Sequence, residues 1–203
     1  MKYPKLRELK EAIKALVIGP YTSRFPFEPH EPPERFRGRP KFYERDCTGC
    51  TACVNVCPSG AITFEDKIDQ GKAVRIFTLR YDICIFCGQC QANCLTEKGI
   101  MLSREFDLAT TGKRTDLIET VEKELVICED CKEIVGPKDQ ILWVAKKLGP
   151  LAFSNTTMML FYLQNNSLAR LEASPAEKGN FPNRSDRIKM LCPRCRREVV
   201  IKS

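Results

Sequence analysis

The first apolar positions along the chain keep a helical rhythm. Leu6, Leu9, Ile13, Leu16 and Val17 recur at steps of three and four, while Lys5, Arg7, Lys10 and Lys14 mostly take the other side. This pattern predicts an amphipathic helix over residues 4–18, with Pro4 in its first turn and Gly19-Pro20 as its stop. The period shows a face to be covered without saying what covers it: the protein's own core, a partner chain or a membrane surface. The rhythm then dissolves. Residues 20–45 hold Pro20, Pro26, Pro29, Pro32, Pro33 and Pro40, interleaved with Tyr21, Phe25, Phe27, Phe36, Phe42 and Tyr43 and with Arg24, Arg35, Arg37, Arg39, Lys41 and Arg45. Proline at this density favours an extended, polyproline-like course. A free linker has little use for so many rings, so the stretch reads as an arm that buries them against other chains. The only histidine, His30, lies there and reads as an ordinary arm residue.

Beyond the arm the period shortens to that of strands. Ala61 to Phe64 and Ala73 to Tyr81 have strand character around an Asp69-Gln70-Gly71 turn, with Val74, Ile76 and Thr78 set partly against Arg75, Phe77 and Leu79. Residues 104–125 form a mostly charged connection in which Leu117, Ile118, Val121 and Leu125 predict a short helix or an extended packing segment. Helical patterns return over Asp139 to Leu148 and Thr156 to Leu171, where Met158 and Met159 are read as packing residues, and Gly179 to Arg187 reads as a loop.

Cysteines change this picture most. Cys47, Cys50, Cys53 and Cys57, followed by Pro58, repeat the pattern of Cys84, Cys87, Cys90 and Cys94, each C-x2-C-x2-C-x3-C. Three thiolates two residues apart let one tight loop wrap three corners of a cubane, and the fourth ligand must come from elsewhere. This is the run of bacterial-type ferredoxins, in which the fourth cysteine ligates the other cluster. The expected sets are Cys47, Cys50, Cys53 and Cys94 for one 4Fe-4S cluster, and Cys84, Cys87, Cys90 and Cys57 for the second. Zinc has no use for three equally spaced thiolates, and twelve cysteines in 203 residues fall below the roughly 8–10 per cent of disulfide scaffolds. Each run is expected on a loop leading into a short helix ending near Pro58 or Leu95, with Val54, Val56, Ile85 and Phe86 excluding water.

Two further pairs follow. Val126-Ile127-Cys128-Glu129-Asp130-Cys131 is echoed by Met190-Leu191-Cys192-Pro193-Arg194-Cys195, each with a basic residue next and with apolar Ile134-Val135 or Val199-Val200 soon after. This is the outline of two knuckles holding one tetrahedral metal, expected to be zinc, with mononuclear iron, disulfides and free thiols as the competing readings. Four cysteines leave no open position for catalysis. The formal charge of +7 would ordinarily point to an anionic partner such as nucleic acid. Two 4Fe-4S units and one four-thiolate zinc each carry −2, which takes that figure to about +1, and the basic excess then balances metal. No apolar run reaches the roughly 18–20 residues needed to span a bilayer. With thiols that call for a reducing compartment, this predicts a cytoplasmic protein, soluble or peripheral.

Several segments together resemble a known family. They are Pro20-Tyr21-Thr22 with Phe25-Pro26, Arg35-Phe36-Arg37-Gly38, Cys47 to Pro58 with Ala61-Ile62, Tyr81 to Cys90 with its Ile85-Phe86 context, and Glu105-Phe106-Asp107-Leu108-Ala109. Over residues 1 to about 120 the chain resembles the ferredoxin-like subunit shared by respiratory complex I, membrane-bound group 4 hydrogenases, formate hydrogenlyases and their sulfur-reducing relatives. Leu95 departs from the proline usual there, and the extension from about residue 121 lies outside the common core, leaning toward the hydrogenase-like branch.

The resemblance implies a relay of electrons between a donor module and a catalytic subunit, near the membrane arm, on the cytoplasmic side of the membrane as a peripheral subunit. No nucleotide fingerprint and no nucleophile with its base is legible, so no catalytic site, small-molecule substrate or nucleic-acid partner is expected. The rival readings are a ferredoxin-type subunit of a soluble cytoplasmic oxidoreductase and a nucleic-acid-associated iron–sulfur and zinc protein. The expected fold is α+β: an N-terminal amphipathic helix and extended arm (1–40), a two-cluster bacterial-ferredoxin-like domain (41–120), and a C-terminal zinc-ribbon-like extension with a helical insertion (121–203).

Overall fold

The computed structural model describes residues 5–19, 22–69, 72–168 and 189–201. The turn expected at Gln70-Gly71, the loop from Gly179 to Arg187, and the residues after 168 in the second helical pattern lie outside them. The chain divides into two units, residues 1–36 and 37–203.

In the first unit, α1 (Leu6–Ile18) forms where the apolar period predicted it. The Glu8 carboxylate accepts from the Lys5 N–H at 3.1 Å, and Gly19, at φ 91°, closes the last turn through its N–H to the Ala15 carbonyl. None of its residues is buried, and Leu6 and Leu16 stay 87% and 86% exposed. The arm is less uniformly extended than its prolines predict, because the Phe27 N–H bonds the Arg24 carbonyl and the Phe36 N–H the Pro33 carbonyl, making turns.

The second unit begins with β1 (Pro40–Phe42), which pairs antiparallel with β4 (Ile100–Leu102), Pro40 opposite Leu102. Gly38 and Arg39 continue the pairing through the Ser103 and Glu105 carbonyls. Any side chain at Gly38 would collide with those same carbonyls, so glycine is required there. The main sheet is antiparallel, in the order β2 (Ile62–Asp69), β3 (Lys72–Arg80), β5 (Ile118–Ile127), β6 (Ile134–Pro137). Its face toward the cysteine loops carries Phe77 and Leu79, which pack with Ala61, Ile62, Tyr81, Ile100, Cys53 and Cys90 as the core. Fully burying side chains such as Phe77 and Leu79 stabilises a fold by roughly 1.5–3 kcal/mol each.

The mostly charged stretch after residue 104 ends in a 3-10 turn (Arg114–Leu117) and then β5, and a boundary after residue 120 would fall inside this strand. Its charges alternate with the pleat, Glu122 and Glu124 outward and Lys123 inward with Leu125. The helical segments form as α4 (Lys138–Leu148), a 3-10 turn (Gly149–Ser154) and α5 (Thr156–Asn165), the last capped by the Asn155 side chain accepting from the Met158 N–H at 3.1 Å. The second helix stops short of Leu171, at Asn166, with Ser167 in a left-handed conformation. The second cysteine pair is not a knuckle: Cys192 immediately precedes the helix α6 (Pro193–Ile201) and Cys195 lies in its first turn. Pro193 explains the difference, since its fixed φ and missing N–H suit a first helical position.

Candidate metal centres

Each cysteine run folds as predicted into a tight loop entering a short helix, α2 (Ala52–Asn55) or α3 (Gln89–Ala92). The repeat extends beyond the cysteines to the backbone. Left-handed residues occur at Gly49, Thr51 and Gly60 in the first half and at the equivalent Phe86, Gly88 and Glu97 in the second. Backbone N–H groups in those turns point at the sulfurs, that of Gly49 at Cys47 and that of Phe86 at Cys84. A hydroxyl accompanies each fourth cysteine: Ser59 lies 3.7 Å from the Cys57 sulfur and Thr96 3.5 Å from the Cys94 sulfur. Sequence reading passed over this pair, although both sit two residues after the run's last cysteine.

A small pocket brings Cys84, Cys87 and Cys90 together with Cys57 from the other run, walled by Pro40, Ile62, Ile85, Phe86 and Leu102. In the other half, the Cys94 charge is felt at Cys47 along with that of Cys50. Electrostatics separates the cysteines by position. Burial pushes the Cys53 thiol up to about 12 and the Cys90 thiol up to about 11, with neighbouring cysteines adding to the rise. Burial also acts on Cys57 and Cys94, but there donors overcome it: the Ile62 N–H and Ser59 hydroxyl at Cys57, and the Thr96 hydroxyl and N–H at Cys94, bring both thiols below their ordinary value. Crowded buried thiols that become thiolates call for compensating cationic charge, which suits a bound metal group.

The third site is tighter. The sulfurs of Cys128, Cys131, Cys192 and Cys195 all lie within 4.8 Å of one another, with Cys131 and Cys192 at 3.6 Å. Zinc–sulfur bonds of about 2.3 Å place tetrahedral sulfurs about 3.8 Å apart, so the spacing fits one mononuclear ion. The turn between β5 and β6 supplies the first pair and the start of α6 the second, held together by the Glu129 N–H on the Met190 carbonyl at 2.9 Å. The Cys192 N–H points at the Cys128 sulfur (3.3 Å) and the Cys195 N–H at the Cys192 sulfur (3.4 Å). Burial opposes it, but the N–H groups of Cys192, Cys131 and Asp130 bring the Cys128 thiol down to about 7. Leu191, Val135 and Val199 wall the knot.

Strand β5 also supplies polar residues that sequence reading missed. Glu119 accepts from the Phe42 N–H at 3.0 Å and hydrogen-bonds the buried Tyr81 hydroxyl, which lies 2.8 Å from the Pro40 carbonyl. Tyr81 is held well above its ordinary range by burial, with Glu119 adding to the effect. One strand thus grips the segment that leads into Cys47.

Comparison with known proteins bears on this arrangement directly. Residues 46–98 match a family described as a 4Fe-4S dicluster domain. Over 128 residues the chain is 39% identical to formate hydrogenlyase subunit 6 of Escherichia coli (strain K12), covering 63% of this chain and 69% of that protein. It is 32% identical over 133 residues to NADH-quinone oxidoreductase subunit I 2 of Geobacter metallireducens, covering 62% of this chain and 98% of the relative. The chain belongs to this family of subunits. Another member, the NAD(P)H-quinone oxidoreductase subunit I of Gloeobacter violaceus, is 34% identical over 93 residues, 44% of each protein. A chain in a solved structure of the membrane-bound sulfane sulfur reductase, an archaeal respiratory membrane complex, is similar at 28% identity and a TM-score of 0.41, covering 58% of this chain and 62% of that one. As a family member carrying a dicluster domain, the protein binds 4Fe-4S clusters. Among the described residues no helix is long and apolar enough to cross a membrane.

Proposed function

We propose that the chain relays single electrons through two 4Fe-4S clusters between a donor module and the catalytic subunit of a membrane-bound, hydrogenase- or complex I-like oxidoreductase. The observation that carries the crossed assignment is the entry of Cys57 into the pocket lined by Cys84, Cys87 and Cys90. Cys57, Cys84, Cys87 and Cys90 hold one cluster, and Cys47, Cys50, Cys53 and Cys94 the other. Bound there, the clusters supply reversible one-electron chemistry at potentials set by the surrounding hydrogen bonds and burial. The chain's own groups do the rest. Backbone N–H groups and the Ser59 and Thr96 hydroxyls stabilise sulfur charge, Phe86 packs against the core beside the second run while Ile85 stays 61% exposed at the pocket's edge, and the exchanged fourth cysteines would tie the two sites together.

Cys128, Cys131, Cys192 and Cys195 hold a structural zinc, supported by their close spacing and their N–H donors. The protein is a peripheral subunit on the cytoplasmic side of the membrane, with α1 lying on lipid and the aromatic arm against the hydrogenase-like and membrane-arm subunits. Metal analysis of anaerobically purified protein tests the cofactor assignment, expecting about eight iron and one zinc per chain. Affinity purification from native membranes with partner identification tests the assembly. A chain found alone in the soluble fraction would overturn the membrane placement.

A further inference from the structure

Lys123 is a buried cation beside the start of the first cysteine run. It sits inward on β5, its side chain only 6% exposed, directly opposite Arg75 on β3. Like charges facing each other across neighbouring strands destabilise a sheet, and a buried lysine is costly unless something rewards its charge. Both cations have one carboxylate partner: Arg75 holds Asp66 bidentately at 2.7 and 2.8 Å, and Lys123 meets Asp139 at 3.0 Å. Asp139 is 45% exposed, so water screens it more than the lysine it faces.

What the two cations share is the first cysteine loop. Arg75 donates to the Gly49 carbonyl at 2.9 Å, the Lys123 stem packs against Gly49, and its ammonium donates to the Glu44 carbonyl, three residues ahead of Cys47. Pro137 of β6 closes on Gly49 from beside it. The equivalent loop of the second run has a much weaker counterpart in the described residues, an exposed Arg37 at 3.5 Å from the Cys87 carbonyl.

We propose that Lys123, a residue of the extension, is a positioning residue for the first cluster and raises its reduction potential selectively. This rests on the two-cluster reading above. An added electron makes that site more negative, and a buried cation beside its loop stabilises the added charge. Arg75 supports the same field but is braced by Asp66 and Gly49, so Lys123 is the cleaner point to change.

The test is a redox titration of the intact anaerobic protein, following each cluster by EPR with the signals assigned from the Cys57→Ser and Cys94→Ser chains. Lys123→Gln keeps a donor for the Glu44 carbonyl and removes the charge. It is expected to disfavour reduction of the first cluster about tenfold, 59 mV for a one-electron couple, with the second unmoved. Lys123→Arg is expected to stay within about threefold of the wild type. The inference is overturned if the first cluster does not move, if both move equally, or if Lys123→Arg falls as far as Lys123→Gln. Should Lys123→Gln lose iron, Asp139→Asn carries the test: it is expected to favour reduction of the first cluster, and no shift or the opposite shift overturns the inference. A wild-type chain without two EPR-active clusters would instead sink the two-cluster reading itself.

Discussion

The cysteine repeat and the extension's four cysteines solve opposite problems with the same ligand. In the repeat, local turns at Gly49, Thr51, Phe86 and Gly88 shape each run's own loop, and Cys57 of one run lines the pocket of the other. In the extension no local stretch builds a site. Two pairs 61 residues apart at Cys131 and Cys192 are brought within 3.6 Å by a sheet turn and a helix start. Among the described residues, the extension's set alone gathers three or more metal-ligating side chains within 4.8 Å. A cluster puts iron and sulfide between its thiolates and keeps them apart, whereas one ion draws them together. Sulfur spacing therefore distinguishes the two sets of cysteines where residue type cannot.

The strongest way to break this comparison is to remove one ligand from each region. Cys192→Ser is expected to abolish zinc retention while iron stays near eight per chain, read by metal analysis; iron lost along with zinc would show one folding unit in place of two separable centres. Cys57→Ser is expected to damage the cluster whose other ligands are Cys84, Cys87 and Cys90, and Cys94→Ser the other, read by EPR. Damage confined to the mutated run would remove the crossed assignment. Phe77→Ala should cost about 3–5 kcal/mol in anaerobic denaturant unfolding by opening a cavity beneath the cluster loops, and a cost below about 1 kcal/mol would place the core elsewhere.

Smaller effects sharpen the boundary between the regions. Glu119→Ala leaves the Phe42 N–H without its acceptor and should destabilise by about 1–3 kcal/mol. Glu105 is held below its ordinary value by its hydrogen bond to Lys41, with Arg39 adding to the effect. Its contribution is present above the unfolded value of about 4.3 and is lost as pH falls through the folded one. The pair is half exposed, so Glu105→Gln should cost under about 1 kcal/mol at pH 7 and nothing once the wild-type carboxylate is protonated, read from paired unfolding curves.

The parts legible in the sequence were those whose chemistry is local. The runs place three cysteines each on one tight loop by spacing, α1 follows from its apolar stripe, and the β2–β3 pair from its partial alternation. Lys123 and Glu119 were illegible because their meaning depends on strand pairing: within a charged stretch they look solvated, and only the alignment of β5 against β3 turns them inward. Ser59 and Thr96 were hidden differently, since a hydroxyl after a cysteine run means nothing until the chain bends it back to the sulfur. The helix at Cys192 could have been read from Pro193, had its place at a first helical position been weighed against the echo of the other pair.

The pairing of β5 with β3 has one more consequence. From Ala73 to Arg80 every residue of β3 has a β5 partner. A chain cut before Ile118 would leave that side of β3 as a bare row of N–H and C=O groups, flanked by Val74, Ile76 and Phe77. Such an edge is a template for strands of other molecules. Strand β5 therefore also covers an edge through which this domain could pair with its own copies, and versions cut before Ile118 are expected to aggregate, read by size-exclusion chromatography, even where all eight cysteines of the repeat are intact.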